Sequence, residues 1–318
     1  MKLLYRNQPF YIFGFRYNLG SVVRSLEQLA EEKLIGGTAE SLSAMGYRQN
    51  AGVKPNENLV DLMKPVVSSA LEAVPNPAAL IFQHCYGESA VLPTEPGDTV
   101  GATRNRYFPA ALMRELGVDH HPYLCSFASG CAGFISLLIS AGGVLLAGNG
   151  APVICLTGDV RPPGTFYDMV RERILGSDQC SSFFAGPEKR GYRVLGLMFY
   201  STARTLVPLV EIVKRTVQMV TDLAESLDLD FNSSEVVLHY PNIFPDAWNM
   251  VTRYIRAART EPVMEGMAER AHCAATDSIL SLTEKLQGQD GRLHVVVNYG
   301  VGLHLGVCIL QETATDER

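Results

Sequence analysis

The chain has 318 residues, of which 47% are hydrophobic and 19% charged, with 28 glycines, 17 prolines and a formal net charge of −6. An ordinary soluble domain is about 25% charged, so this composition suits a large core, built as one unit or two closely packed halves, and excludes disordered, collagen-like and coiled-coil classes. The acidic balance also argues against a nucleic-acid binder, whose affinity comes largely from a basic surface.

The opening residues MKLLYRNQPFYIFGF lack an uninterrupted apolar run followed by a small-residue cleavage site, so no signal peptide is expected. Residues 21–34 have helical spacing (Val22, Leu26, Leu29), and 58–74 read similarly. AALIFQHCY at 78–86 is a compact strand, and 106–116 a further helix. From 120 to 158 no Asp, Glu, Lys or Arg occurs. The apolar stretch 131–148 is about as long as a membrane span. Its glycines and serines, and the β-branched strand VICLTGD that follows Asn149-Gly150-Ala151-Pro152, instead read as a central buried helix and a core strand. No membrane span is expected.

SSFFAG and YRVLGLMFY, joined by residues 187–191, read as a hairpin. A helix over 208–226, a strand over 235–241 and helices over 246–258 and 278–286 follow. LHVVVNYG and LHLGVCIL, flanking Gly300-Val301-Gly302, form two terminal strands. Helix 58–74 leads to a strand holding His84 as helix 208–226 leads to one holding His239, which suggests a duplicated α/β topology on mixed sheets. We divide the chain into 1–199, carrying the small-residue turn around Cys131, and 200–318, carrying most histidines. The seven cysteines (85, 125, 131, 155, 180, 273, 308) are odd in number and contain no C-x-x-C pair. Neither a metal motif nor a disulfide framework is expected, and a reduced, cytoplasmic setting follows.

Cys131, in SFASGCAGFISLL, precedes the buried helix, where the macrodipole and backbone N–H groups favour a thiolate nucleophile. A small core residue is the competing reading. His239 ends a strand, where α/β sheets place ligands, or is satisfied in the core. His272 and Asp277 lie five apart, on different faces of a continuous helix. If His272 precedes the helix, Asp277 at its start can fold back to orient the imidazole and also cap the helix. Gly300-Val301-Gly302 permits a turn whose N–H groups could hold an oxyanion, or is an ordinary hairpin. Arg204, Lys214, Arg215, Arg253, Arg256 and Arg259 make the second half locally basic, as solvated helix faces or as a surface for an acidic carrier protein.

In this order the motifs resemble the β-ketoacyl-ACP synthase III-like branch of the thiolase superfamily. Cys131-Ala132-Gly133-Phe134 is similar to that family's nucleophile followed by Gly-Phe. LGSDQCSSFFAG is similar to its Gly-Asp-Gly segment, and LHYPN, with His239 and Asn242, to its His-Gln-Ala-Asn. YGVGLHLG resembles its terminal Gly-rich strand pair. The resemblance implies a five-layered α-β-α-β-α thiolase fold of two similar halves, and an acyl group carried on Cys131. It further implies an oxyanion and substrate site from Gly300, Val301, Gly302 and Asn242.

The family's Gly-Asn has no counterpart here. His272-Cys273 stands in its place, with Asp277 beyond, as in the Cys-His-Asp acyltransferases of specialised metabolism. The family's arginine after His-Gln-Ala-Asn is replaced by Phe244-Pro245. With His239, the set would also suit decarboxylative condensation. The expected substrates are CoA or phosphopantetheine thioesters on CoA or acyl carrier protein, with no permanently bound cofactor. A homodimer, or a heterodimer with a paralogue, is implied. The readings that compete with acyl transfer are a non-catalytic partner subunit and a thioester hydrolase.

Overall fold

The computed structural model describes residues 1–86, 107–118, 120–127, 129–148, 150–162, 164–204, 207–264, 266–300 and 303–314. Ten strands carry the architecture. The first five are β1 (Tyr11–Leu19), β2 (Ala79–His84), β3 (Tyr123–Phe127), β4 (Val153–Asp159) and β5 (Gln179–Gly186). The second five are β6 (Tyr192–Ser201), β7 (Glu235–His239), β8 (Arg259–Val263), β9 (Leu293–Gly300) and β10 (His304–Glu312). The first set runs β3-β2-β4-β5-β1 and the second β8-β7-β9-β10-β6, the same order displaced by five strands. The directions repeat too: three parallel strands, then two antiparallel ones. Only Tyr192↔Ile12 and Arg193↔Tyr11 join the two sets edge to edge.

The helices obey the same repeat. α1 (Leu59–Ala73), α2 (Phe108–Glu115) and α3 (Gly133–Ala147) belong to the first half, and α4 (Leu209–Ser226), α5 (Pro245–Tyr254) and α6 (Thr276–Lys285) to the second. Side chains alternate along each strand, so one sheet faces two cores. Leu80, Phe82, Ile154 and Leu156 point outward to α1 and α2, whereas Ile81, Val153 and Cys155 point inward to α3. In the second sheet Val295, Val297, Val307 and Ile309 face α4 and α5, while Val296, Cys308 and Leu310 face the centre. Helices α3 and α6 are sandwiched there, which gives five layers, α-β-α-β-α.

The start of α3 and strand β4, within the uncharged stretch, thus lie in the middle of the molecule. The segment Gly130–Ala147 is long and apolar enough to cross a membrane, with mean hydropathy 2.0, and half of it is buried between the sheets. Over its first two turns the helix is buried between the sheets, where a charge could not be solvated.

Several sequence expectations are corrected. Residues 21–34 are not one helix: Val22–Ser25 is a strand, and Ser25 caps the short helix Leu26–Glu31 through a reciprocal bond with Gln28. The segments read as a hairpin, β5 and β6, do not pair. β5 lies between β4 and β1, and β6 pairs chiefly with β10. The turn between them carries the chain from one sheet to the other, passing β1 closely at Gly191 (φ +70°), where a Cβ would lie 2.3 Å from the Ile12 carbonyl oxygen. β6 therefore groups with the second set of strands. Strands β1, β3 and β8 carry no clean period-two signal and were not anticipated.

Candidate active site

Two helix N-termini meet at the centre, one from each half. Cys131 sits in a single 3-10 turn (Gly130–Ala132) at the head of α3, and Gly130, at φ +51°, makes the reversal out of β3. Two buried contacts set this turn. Gln83, from the end of β2, packs against Gly133, where a Cβ would lie within 2.2 Å of its amide, and its Nε2 reaches the Gly130 carbonyl at 3.4 Å. Its Oε1 accepts from Thr157 Oγ1 at 2.7 Å. On the other side Gly300 ends β9 against the nucleophile's backbone. A Cβ there would meet Ser129 O at 2.4 Å and Cys131 N at 3.3 Å. Gly300→Ala is expected to cost about 1–3 kcal/mol of stability from this overlap. A calorimetric scan and the Cys131 alkylation rate should both fall; an unchanged Tm would show that the turn yields freely.

His272 lies in the loop before α6, held by its N–H to Leu175 O at 2.9 Å and by Ser177 N–H to its carbonyl at 3.0 Å. Ala271 (φ +53°) and Ala274 (φ +49°) flank it in left-handed backbone, which costs of order 1–3 kcal/mol each and is a common mark of functional loops. This loop folds Asp277 back onto His272. The Nδ1–H of His272 donates to Asp277 Oδ2 at 2.5 Å, with both side chains 5% exposed or less. Asp277 also accepts from Cys273 N at 2.9 Å and from Asn242 N at 2.9 Å. The bond at Nδ1 leaves Nε2 for Cys131, whose sulfur lies within hydrogen-bonding reach of His272 and of the Cys85 thiol.

These contacts set the charges. The hydrogen bond from Cys85 and the charge and hydrogen bond of His272 bring the Cys131 thiol down to about 5, against burial and the charge of Asp277. Burial opposes protonation of His272, but Cys131 and Asp277 outweigh it and raise the imidazole to about 10. The resting pair is a thiolate and an imidazolium. Alkylation of Cys131 by iodoacetamide should therefore rise with a midpoint near 5 and stay flat to about pH 9; a single rise near 8.5 would contradict the ion pair.

The structure brings Cys131, His272, Asp277 and Asn242 together. Asn242 acts through its backbone and through Nδ2, which donates to Ala271 O at 3.1 Å, while Tyr47 Oη donates to its carbonyl at 2.8 Å. His239 is turned elsewhere. Its Nδ1 meets Ser281 Oγ at 3.0 Å and its Nε2 meets His294 Nδ1 at 2.9 Å, in a chain that ends on buried Glu312. Burial holds the imidazole well below its usual value. Val301 and Gly302 lie outside the described residues, whereas Gly300 supports the Cys131 turn. Sequence reasoning missed Gln83 and Cys85; both sit where an apolar strand ends, and nothing in that strand's pattern distinguishes them from core. No cluster of metal-ligating side chains occurs among the described residues.

A cavity of about 430 Å³ leads to the pair. Tyr86, Phe166, Tyr167, Met169 and Ile174 supply apolar lining beside Cys131 and His272. Asp178 lies in its wall with its charge engaged: it accepts from Arg161 N at 2.6 Å, Val53 N at 2.8 Å and Tyr167 Oη at 2.7 Å. The site is thus a half-open, mainly apolar pocket ending on a charged nucleophile and base.

No protein-family model matches the chain, and no curated protein matches it. Solved structures do. 3-Oxoacyl-(acyl carrier protein) synthase III from Pseudomonas aeruginosa PAO1 aligns over 96% of this chain and 99% of its own, at TM-score 0.71 and 16% identity. ChlB3, described as an acyltransferase, aligns over 96% and 98%, at TM-score 0.73 and 15% identity. The synthase III of Aquifex aeolicus VF5 aligns over 95% and 99%, at TM-score 0.70 and 14% identity. The chain has the thiolase fold of these ketosynthase III-like proteins.

Proposed function

We propose that the protein is a ketosynthase III-like acyltransferase. It loads an acyl group from an acyl-CoA or acyl-carrier-protein thioester onto Cys131 and passes it to a second substrate, in fatty-acid-like or polyketide and other specialised metabolism. The observation that carries this reading is the buried Cys131–His272–Asp277 set at the end of the apolar cavity. The thiolate attacks the thioester carbonyl, and the Cys131 N–H at the head of α3 would hold the oxyanion. The departing thiolate takes the proton of His272. The neutral imidazole, oriented by Asp277, then removes the proton of the acceptor as it attacks the acyl-enzyme, and Cys131 leaves as thiolate. Apolar walls keep water from the acyl-enzyme.

The position of His239 favours transfer to a hydroxyl, amine or thiol over decarboxylative condensation, because a single imidazole faces the sulfur. The intact set of three argues against a non-catalytic partner subunit. The test offers the protein acyl-CoA and acyl-carrier-protein thioesters and seeks an adduct on the Cys131 peptide. Malonyl thioester, then alcohol and amine acceptors, follow, with carbon dioxide measured. No adduct from any donor would overturn acyl loading; carbon dioxide released with the malonyl thioester would make the enzyme condensing.

Two surfaces fit the partners. Lys214 lines an apolar groove between α4 and α5, of about 530 Å³, with Val210, Met250 and Tyr254, suited to an acidic carrier. Arg204 and Arg259 are instead paired with Glu211 and Glu235. Terminal strand β3 exposes Tyr123 (42%) and Leu124 (50%), an apolar edge that a second copy would cover. Leu124→Lys is expected to weaken a homodimer by about tenfold or more in light scattering; unchanged mass at every concentration would place the interface elsewhere.

A further inference from the structure

The imidazole that ends β7 has a set of partners that acyl transfer leaves unused. Four buried side chains from four elements run in line: Ser281 on α6, His239 on β7, His294 on β9 and Glu312 on β10, none more than 5% exposed. Ser281 Oγ lies 3.0 Å from His239 Nδ1, His239 Nε2 2.9 Å from His294 Nδ1, and His294 Nε2 3.2 Å from Glu312 Oε2. Glu312 Oε1 also accepts from the N–H of Gln287 at 2.6 Å and of Gln289 at 3.0 Å. With that carboxylate as the final acceptor, each proton has one place. His294 donates from Nε2, so its Nδ1 accepts from His239 Nε2–H, and His239 Nδ1 accepts the Ser281 hydroxyl, shared with Ser278 O at 3.1 Å. Both rings are satisfied as neutral imidazoles, in line with burial holding each below its usual value. The cations near the chain are themselves paired. Arg292 and Lys285 meet Glu261 of β8 at 2.5 and 3.2 Å, and Arg292 meets Glu235 of β7 at 3.5 Å. From β6, Tyr192 sets its ring against His294 at 4.9 Å and donates its hydroxyl to Leu282 O at 2.8 Å.

We propose that this chain makes His239 a positioning residue: it pins α6 to the second sheet so that Asp277 stays in register with His272. Ser281 stands four residues beyond Asp277, one helical turn on and on the same face. A rotation of α6 that carried Asp277 off His272 would carry Ser281 off His239. Ala275, at the head of α6, offers no side-chain cap, so hydroxyl anchors along the helix set its orientation. Thr276 bonds Gln179 and Ser181 of β5 at 2.5 and 2.7 Å, Ser278 accepts from Asn298 of β9 at 2.7 Å, and Ser281 adds the link to β7. A buried polar chain gains little stability over apolar packing of the same volume, but its directional bonds specify one register.

The step served belongs to the acyl-transfer reading, on which this inference rests, but its first readout needs no acyl substrate, so the two can fail separately. The Nδ1–H of His272, held at 2.5 Å by Asp277, is a short charge-assisted bond with a far-downfield proton resonance. In Ser281→Ala that resonance should move upfield or broaden away. With a labelled thioester, deacylation should slow by about tenfold and acylation by less than about twofold. His239→Gln should behave alike. Val307→Ala, a cavity on the outer face of the second sheet, should lower the Tm and leave the resonance in place. An unchanged resonance in Ser281→Ala would overturn the proposal, and so would an equal change in Val307→Ala. Acylation abolished in a folded His239→Gln would put that imidazole at the sulfur and overturn it too.

Discussion

Cys131→Ala should fold normally, take up no acyl group from any thioester, and show turnover at least about 10⁴-fold below wild type. On the proposed reading the thiol is the covalent carrier, so no neighbouring group would substitute for it. Cys85, the other sulfur nearby, is pushed up, first by its hydrogen bond to Cys131 and then by burial, and stays a protonated thiol. The scaffold does not depend on the sulfur: the turn is fixed by Gln83, Gly133 and Gly300. The variant should also release His272 from the charge that helps hold it near 10, and NMR titration should find its imidazole lower. An adduct persisting in Cys131→Ala would move the nucleophile to another residue.

Asp277→Asn should slow deacylation by about 10²–10⁴-fold and acylation much less. Acylation begins from a thiolate already formed. Deacylation requires His272 to become cationic with the sulfur esterified, so Asp277 is then its remaining counter-charge. The carboxylate accepts three hydrogen bonds, from His272 Nδ1 and the Asn242 and Cys273 N–H groups. An amide has a single acceptor oxygen, which leaves a buried donor unpaired at a cost of about 1–3 kcal/mol. Rapid quench with a labelled thioester separates the steps, and equal slowing would contradict the orienting role.

The same pair sets the pH range of the site. Cys131 titrates lower in the fold than unfolded, so its share of stability is lost as pH falls through about 5. His272 titrates higher, so its share is lost as pH rises through about 10.

Much of the architecture was legible because the core is layered. The two central helices, α3 and α6, and most strands follow from apolar runs, whereas the Asn58 cap before α1, accepting from the Val60 and Asp61 N–H groups, was not read. Pairing was not legible. β5 and β6 adjoin in sequence, but their partners are 20 or more residues away, and no local pattern encodes that choice. β8, with the sequence RTEPV, is a polar edge strand without a period to read. The spacing of His272 and Asp277 was informative because it forbids a shared helical face, and a loop was then required. His239 shows the limit. A strand end fixes where a residue lies, but the side of the sheet it faces depends on register, and here the ring turns to Ser281 and His294.

The two halves repeat each other strand for strand, yet the chemistry does not repeat. One half supplies the sulfur at the head of α3, the other the imidazole and carboxylate ahead of and within α6. On the proposed mechanism neither half would react alone. A scaffold with approximate two-fold symmetry thus has a one-fold active centre. The repeat between the halves thus lies in their connectivity and not in the side chains at the centre.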